Sequence, residues 1–170
     1  MNLSRIVSGT CSLLTAACGV EGTVNLQNPN NPLLVPRKFE IGAYTVREGY
    51  EGVFNVNGEN FTISKVGQDY VLSDGSRLVF WGGLVQFYAG GLAGTKFSLE
   101  GACPSSDKVI QPLIVRDTNK GSFTVDSESF SLNKGETNEL SDGSKITYLE
   151  GLSQDFAGGL HGAKLDLECH

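Results

Sequence analysis

The chain has 170 residues, a formal net charge of −6 and a pI near 4.9. Its 13 basic residues are scattered along the sequence. This argues against a nucleic-acid partner, because affinity for phosphates depends on clustered Lys and Arg. Beyond the N-terminus, no apolar run approaches the roughly 20 residues that a membrane-spanning helix needs.

Residues 1–18 have the outline of a targeting segment. A single charge at Arg5 precedes a short apolar stretch that ends in small residues, as in a secretory signal peptide. The stretch 14–18 also matches a bacterial lipoprotein cleavage box that would place a lipid on Cys18, except that Thr15 stands where a larger aliphatic residue is preferred. The alternative is an N-terminal strand or short helix that stays in the protein. We expect membrane attachment only through such a lipid anchor.

Residues 19–40 predict an extended arm. Prolines at positions 29, 32 and 36 exclude both a helix and a central strand. The apolar run 33–35 lies near the end of the arm and can pack on its own domain or add to a sheet edge of a neighbouring subunit. We therefore expect self-association or protein partners through the arm from Val20 to Pro36.

Two segments, 41–101 and 110–170, repeat nearly the same sequence, and residues 102–109 connect them. Residues 41–56 align without a gap on 110–125, and one deletion near Val66 keeps the remainder in register. A unit of about 60 residues is marginal alone, because it buries only about 60% of its unfolded surface. The two copies are therefore expected to share one core.

Apolar and polar residues alternate with period two in both copies, a pattern typical of half-buried strands. The Asn57-Gly58 pair predicts a type I′ hairpin turn, and Asp126 begins the equivalent, less ideal turn of the second copy. The predicted fold is all-β, with two tandem β-repeats in a sandwich- or barrel-like antiparallel architecture and an extended N-terminal arm. The residues predicted to face inward are Phe54, Val56, Phe61, Ile63, Leu78, Phe80, Phe97 and Leu99, with their counterparts Phe123, Val125, Phe130, Leu132, Ile146, Tyr148, Leu165 and Leu167.

Four cysteines are disulfide candidates, namely Cys11, Cys18, Cys103 and Cys169. Cys103 and Cys169 each stand at the end of one copy, where a crosslink would hold strand ends, and both are predicted to form disulfides. They remain as one pair if the N-terminal cysteines are removed or lipidated; otherwise three pairings are open. An even number suits an oxidising compartment, so we expect a secreted or cell-surface protein. Reduced, buried thiols in a cytosolic protein are the alternative.

Residue patterns for catalysis or cofactor binding are missing from the sequence. His161 and His170 have no nearby nucleophile and orienting carboxylate, as a catalytic His requires. Lys96 does not directly follow a glycine or open a helix, as a phosphate-loop lysine does. Asp74 and Asp142 each precede a glycine, which indicates turns, and they lack the spaced oxygen ligands of a calcium loop. We expect no enzyme activity, no metal and no cofactor.

The two copies differ most in their aromatic residues. Trp81 and Phe87 of the first copy correspond to Leu149 and Asp155 of the second, and Tyr88 follows Phe87. Alternation directs Trp81 to the face opposite the core. An exposed Trp there can stack on a sugar ring or anchor a protein interface. The alternative is that these rings cover the junction between the copies or the N-terminal segment.

The sequence favours a non-enzymatic structural or interaction protein of the cell surface or extracellular space, such as a subunit of a filament or other assembly. The alternative is a carbohydrate- or protein-binding β-module that uses the exposed aromatic residues of the first copy. A hydrolase ranks third. Asn60 begins a glycosylation sequon, which matters only in a eukaryotic secretory pathway.

Overall fold

The computed structural model of the protein describes residues 37–46, 50–85, 92–104, 106–115, 119–154 and 159–170. These residues form strands and turns with no helix, which confirms the all-β prediction. The predicted targeting segment with Cys11 and Cys18 lies outside the described residues. So do the arm from Val20 to Pro36 and the pair Phe87 and Tyr88.

The strands fall into two matching sets of six within the described residues. The first copy forms β1 (Arg37–Val46), β2 (Gly52–Val56), β3 (Glu59–Ile63), β4 (Asp69–Val71), β5 (Arg77–Val85) and β6 (Leu92–Glu100). The second copy forms β7 (Lys108–Val115), β8 (Lys120–Val125), β9 (Glu128–Asn133), β10 (Thr137–Glu139), β11 (Lys145–Ser153) and β12 (Leu160–Cys169).

Across the described residues, the strands build two antiparallel six-stranded sheets that pack as a sandwich. The first sheet has the order β10-β11-β12-β1-β2-β3, and the second has the order β4-β5-β6-β7-β8-β9. Each copy gives its first three strands to one sheet and its last three to the other. The copies meet where β1 pairs with β12 and where β6 pairs with β7. Neither sheet is built from one copy alone, so the two copies share a single core.

The inward-facing residues predicted by alternation make up most of this core. They are buried with two exceptions, Phe61 and Phe130, which are partly buried and pack against the core from β3 and β9. Both exceptions lie on strands at the edge of a sheet, where one side has no neighbouring strand among the described residues. In the first copy, the rings of Phe54 and Phe61 stack with centroids 5.7 Å apart. The corresponding rings of the second copy, Phe123 and Phe130, stack at 5.8 Å.

The two predicted hairpin turns have the same backbone conformation at their first position. Asn57 has a φ of 50° and Asp126 has a φ of 53°, values in the left-handed region that Asn and Asp tolerate. In each turn, the side-chain Oδ1 accepts a hydrogen bond at 2.9 Å, from the backbone N–H of Glu40 in the first copy and of Val109 in the second. The side chain thus ties each turn to the first strand of its own copy.

Glycines at equivalent positions allow the copies to approach closely. A Cβ on Gly94 would lie 1.8 Å from the carbonyl oxygen of Pro112, and one on Gly162 would lie 2.0 Å from that of Ala43. Gly94 lies on β6 facing β7, and Gly162 lies on β12 facing β1. Both glycines therefore serve the strand pairs that join the copies.

A disulfide joins Cys103 to Cys169, which confirms the prediction for these two residues. Both cysteines are buried. The bond connects the segment after β6 to the end of β12, and therefore links the two sheets. A disulfide is compatible with an extracellular protein. Within the described residues, no helix has the length and apolar character needed to cross a membrane.

Candidate functional site

A groove of about 460 Å³ lies on the outer face of the sheet that contains β5, β6 and β7. Its volume falls within the range of small-molecule binding sites. The groove is lined by Trp81, Lys96, Ser98, Glu100, Asp107 and Val109. Of the aromatic residues predicted to bind a ligand, it contains Trp81.

A β-bulge directs Trp81 out of the sheet. The pairing of β5 with β6 shifts between Phe80 and Gly82, and Gly82 has a φ of 111°, which favours glycine. Phe80 is fully buried in the core, whereas Trp81 is 45% exposed. The indole Nε1 donates a hydrogen bond to Ser98 Oγ at 3.0 Å. One edge of the ring is thereby held on the sheet while nearly half of the residue stays in solvent.

The second copy shows that the fold does not require an indole at this position. Its strands β11 and β12 have the same bulge between Tyr148 and Glu150, and the half-buried Leu149 takes the place of Trp81. The same backbone therefore forms around a smaller aliphatic side chain. This comparison leaves the exposed ring of Trp81 available for a role other than folding.

The groove contains both positively and negatively charged side chains. Lys96 is exposed on β6. Glu100 Oε2 accepts a hydrogen bond at 2.9 Å from Arg77 Nε, which fixes that carboxylate at one end of the groove. Asp107 Oδ1 accepts a hydrogen bond at 2.8 Å from the backbone N–H of Gly101. The groove thus presents oriented acceptors and a donor around an aromatic ring.

The remaining candidate residues lie away from this groove or outside the described residues. Asn60 is exposed on β3, in the other sheet, and its Oδ1 accepts a hydrogen bond from Asn55 Nδ2 at 2.7 Å. His161 is buried with its Nδ1 3.2 Å from Ser153 Oγ, and His170 lies 3.3 Å from a Glu168 carboxylate oxygen. Neither histidine lines the groove. The roles predicted for Phe87, Tyr88 and the arm stay predictions.

A buried lysine forms a second cluster of charged groups, which the sequence analysis missed. The side chain of Lys108 is only 2% exposed. Its Nζ lies 3.2 Å from Asp126 Oδ2, 2.5 Å from Asp142 Oδ2 and 3.1 Å from Ser106 Oγ. An ammonium group is therefore held between two carboxylates at one end of the sandwich core.

Comparison of the copies explains this cluster. Extended by two residues towards the N-terminus, the gapless alignment places Lys108 where the first copy has Phe39, which is also buried. In the first copy, Arg37 forms an ion pair with Asp74 and its guanidinium carbon lies 5.4 Å from the centroid of the Phe39 ring. Asp74 corresponds to Asp142, so each copy places a cation against the Asp of the equivalent turn. The cation is Arg37 in the first copy and Lys108 in the second, and these two residues do not occupy aligned positions. The sequence signal that could have revealed this cluster is a charged residue at a position where the other copy has a core residue.

The ion pairs keep the cluster charged at neutral pH. Partial burial acts to raise the pKa of Asp142, but hydrogen bonds from Lys108 and Ser144 outweigh it and hold this pKa at about 2. Burial acts to lower the pKa of Lys108, and hydrogen bonds to Asp142 and Asp126 outweigh it, so this pKa is raised. A protonated amine is not a nucleophile. The cluster therefore suits a structural ion pair better than a catalytic group.

No family model, curated protein or solved structure matches the chain. Among the described residues, no group of three or more His, Cys, Asp and Glu side chains is placed to hold a metal ion. The predicted lack of metals and cofactors stays a prediction. The groove around Trp81 is therefore the main basis for a functional proposal.

Proposed function

We propose that the protein is a non-enzymatic, secreted or cell-surface β-sandwich that binds a saccharide in the groove around Trp81. One observation carries this proposal. Trp81 is 45% exposed within the groove, held by Ser98, at a position where the second copy folds with Leu149 instead.

The chemistry of the groove matches a sugar ring. A pyranose has an apolar C–H face that packs on an indole, and hydroxyl groups that both donate and accept hydrogen bonds. Lys96 supplies donors, while Glu100 and Asp107 supply acceptors. A purely anionic ligand would face both carboxylates, and a purely apolar ligand would leave the polar groups without partners. An uncharged ligand with one apolar face and several hydroxyl groups fits best.

Two further observations support the wider proposal. The buried disulfide between Cys103 and Cys169 favours an oxidising environment, as outside the cell. The carboxylates of Glu100 and Asp107 are engaged by Arg77 and by the backbone of Gly101, an arrangement that suits orientation of a ligand more than acid–base chemistry. These observations favour a binding module over a hydrolase.

Replacement of Trp81 is expected to weaken saccharide binding strongly. On a glycan array, Trp81→Ala should reduce the signal of the glycans that the parent protein binds, by roughly thirtyfold in affinity, as for a central aromatic residue worth about 2 kcal/mol. The matched control is Trp81→Leu, which introduces the residue that the second copy carries at this position. It should keep the thermal stability of the parent and still lose binding. Unchanged binding by a folded Trp81→Leu protein would contradict the proposal.

A second candidate function is assembly with other chains. The edge strand β4 exposes Val71 at 63% and Tyr70 at 41%, and Val66 in the preceding turn is 49% exposed. An open strand edge with apolar side chains can accept an added strand. We propose the arm from Val20 to Pro36 as the strand donor between subunits. Light scattering tests this, since deletion of residues 20–36 should leave a folded monomer that no longer associates.

A further inference from the structure

We infer that the ligand of the groove is an extended, uncharged chain of linked pyranose rings that continues from Trp81 across strands β6 to β9. This inference rests on the proposed function and adds the class of saccharide. Its basis is a line of polar side chains, one per strand, that we call the polar track. The polar track consists of Lys96, Gln111, Thr124 and Ser129.

Strand register places the four residues of the polar track side by side. Lys96 lies opposite Gln111, because β6 and β7 pair Phe97 with Ile110 and Gly94 with Leu113. Gln111 pairs with Thr124 in β8, and Thr124 pairs with Ser129 in β9.

The polar track lies on the outer face of the sheet. The residues next to it along the strands, Phe97, Ile110 and Val125, are fully buried in the core. Side chains alternate between the two faces of a strand, so the track residues face away from the core. The track therefore begins at Lys96, which lines the groove beside Trp81, and continues over the same face.

The hydroxyl groups at the far end of the track are ordered by contacts with each other. Thr124 Oγ1 and Ser129 Oγ are 3.2 Å apart. Two residues further along the same strands, Ser122 Oγ of β8 and Ser131 Oγ of β9 are 3.4 Å apart. Each hydroxyl can donate one hydrogen bond and accept others, so the pairs retain capacity for the hydroxyl groups of a ligand.

The length and direction of the track define the shape of the ligand. Neighbouring strands are about 4.8 Å apart, so the track runs for roughly 14 Å from β6 to β9, across the strands. A saccharide that follows this line must be straight and several rings long. Equatorially linked pyranose chains, such as β-1,4-linked glucans, are extended, whereas axially linked chains coil.

The charge of the track favours an uncharged chain. Beyond Lys96, the three remaining track residues, Gln111, Thr124 and Ser129, carry no charge. A polyanion such as a uronic acid polymer would need cations along its length, and the track offers Lys96 at one end only. The net charge of −6 on the whole chain also opposes a polyanion.

The other sheet offers a natural control, because its equivalent line is interrupted. Register there aligns Lys164, Gly42, Asn55 and Asn60. Lys164 is paired with Glu40, and the ring of Tyr44 lies 3.0 Å from the position of a Cβ on Gly42. Variants of Asn55 on this face therefore control for nonspecific effects of losing a polar surface residue.

Titration calorimetry with cellobiose, cellotetraose and cellohexaose tests the inference. The affinity of the parent protein should rise at least tenfold from cellobiose to cellohexaose. The double variant Gln111→Ala with Thr124→Ala should lose this gain, so that its affinity for cellohexaose falls to its affinity for cellobiose. The control variant Asn55→Ala should behave as the parent at every length.

Three results would overturn the inference. Equal affinity for all three oligosaccharides, or a full gain with length in the double variant, would show that the ligand does not follow the track; saccharide binding at Trp81 would then still stand. Failure of the parent to bind cellohexaose would reject this class of saccharide. The glycan array with Trp81→Leu separately decides the proposed function.

Discussion

Removal of the disulfide by the double variant Cys103→Ser with Cys169→Ser is expected to lower the free energy of unfolding by about 4 kcal/mol. The two cysteines are 66 residues apart in sequence, so the bond restricts a long loop of the unfolded chain. Both cysteines are also buried, which keeps the bond within the packed core. Unfolding in urea, followed by circular dichroism, measures the change.

Two controls separate the crosslink from the side chains. The parent protein under reducing conditions should unfold at nearly the same urea concentration as the double variant. The variant Cys103→Ala with Cys169→Ala avoids a buried hydroxyl and should lose a similar amount. If all three proteins kept the midpoint of the oxidised parent, the disulfide would not stabilise the fold.

The variant Lys108→Ala is expected to lower the free energy of unfolding by about 3 kcal/mol or more. Loss of the ammonium removes its hydrogen bonds to Asp126 and Asp142 together with the packing of a side chain that is only 2% exposed, and hydrogen bonds to charged groups contribute about 1.5–3 kcal/mol each. Urea unfolding at neutral pH measures the change.

The first copy provides a matched rescue for this variant. There, Arg37 pairs with Asp74 of the equivalent turn and packs over Phe39, and Asn57 stands at the position of Asp126. The triple variant Ser106→Arg, Lys108→Phe and Asp126→Asn transfers this set to the second copy, with Asp142 left in place. It should recover most of the stability lost in Lys108→Ala. Recovery by Lys108→Phe alone would show that packing, and not the charge, accounts for the loss.

The same cluster predicts a pH dependence of stability. The pKa of Asp142 is about 2 in the folded protein, against an ordinary value of 3.8. Because the folded pKa is the lower one, the contribution of about 2 kcal/mol is present above about pH 4 and is lost as the pH falls towards 2. Urea unfolding between these values should show a shallower loss in Lys108→Ala than in the parent. Equal slopes would contradict this assignment.

Local patterns in the sequence were sufficient to predict four strands of each copy, β2, β3, β5 and β6 with their counterparts β8, β9, β11 and β12, but not how the strands pair. The alternation shared by the copies identified the buried residues, and Asn57-Gly58 identified a turn, because both depend on neighbours along the chain. The pairing of β1 with β12 depends on strands from opposite ends of the chain. The alternation is the same whether each copy forms a sheet of its own or the two copies contribute strands to both sheets. It therefore cannot distinguish these two arrangements.

The candidate site was predictable only in part, for a related reason. Alternation directed Trp81 away from the core, but the bulge and the contact with Ser98 depend on the register of β5 and β6. The polar track depends on the register of four strands in the same way. Lys108 was missed because lysine ordinarily lies on the surface, and its partners Asp126 and Asp142 are distant in sequence.

Trp81 is the single tryptophan of the chain, so its fluorescence reports directly on the proposed binding site. A titration with cellohexaose measures its emission wavelength and its quenching by acrylamide. Stacking of a sugar on the ring should give a saturable blue shift and reduce quenching, because the exposed ring passes from water into contact with the ligand. Unchanged emission and quenching at a cellohexaose concentration that saturates binding by calorimetry would contradict the groove around Trp81 as the binding site.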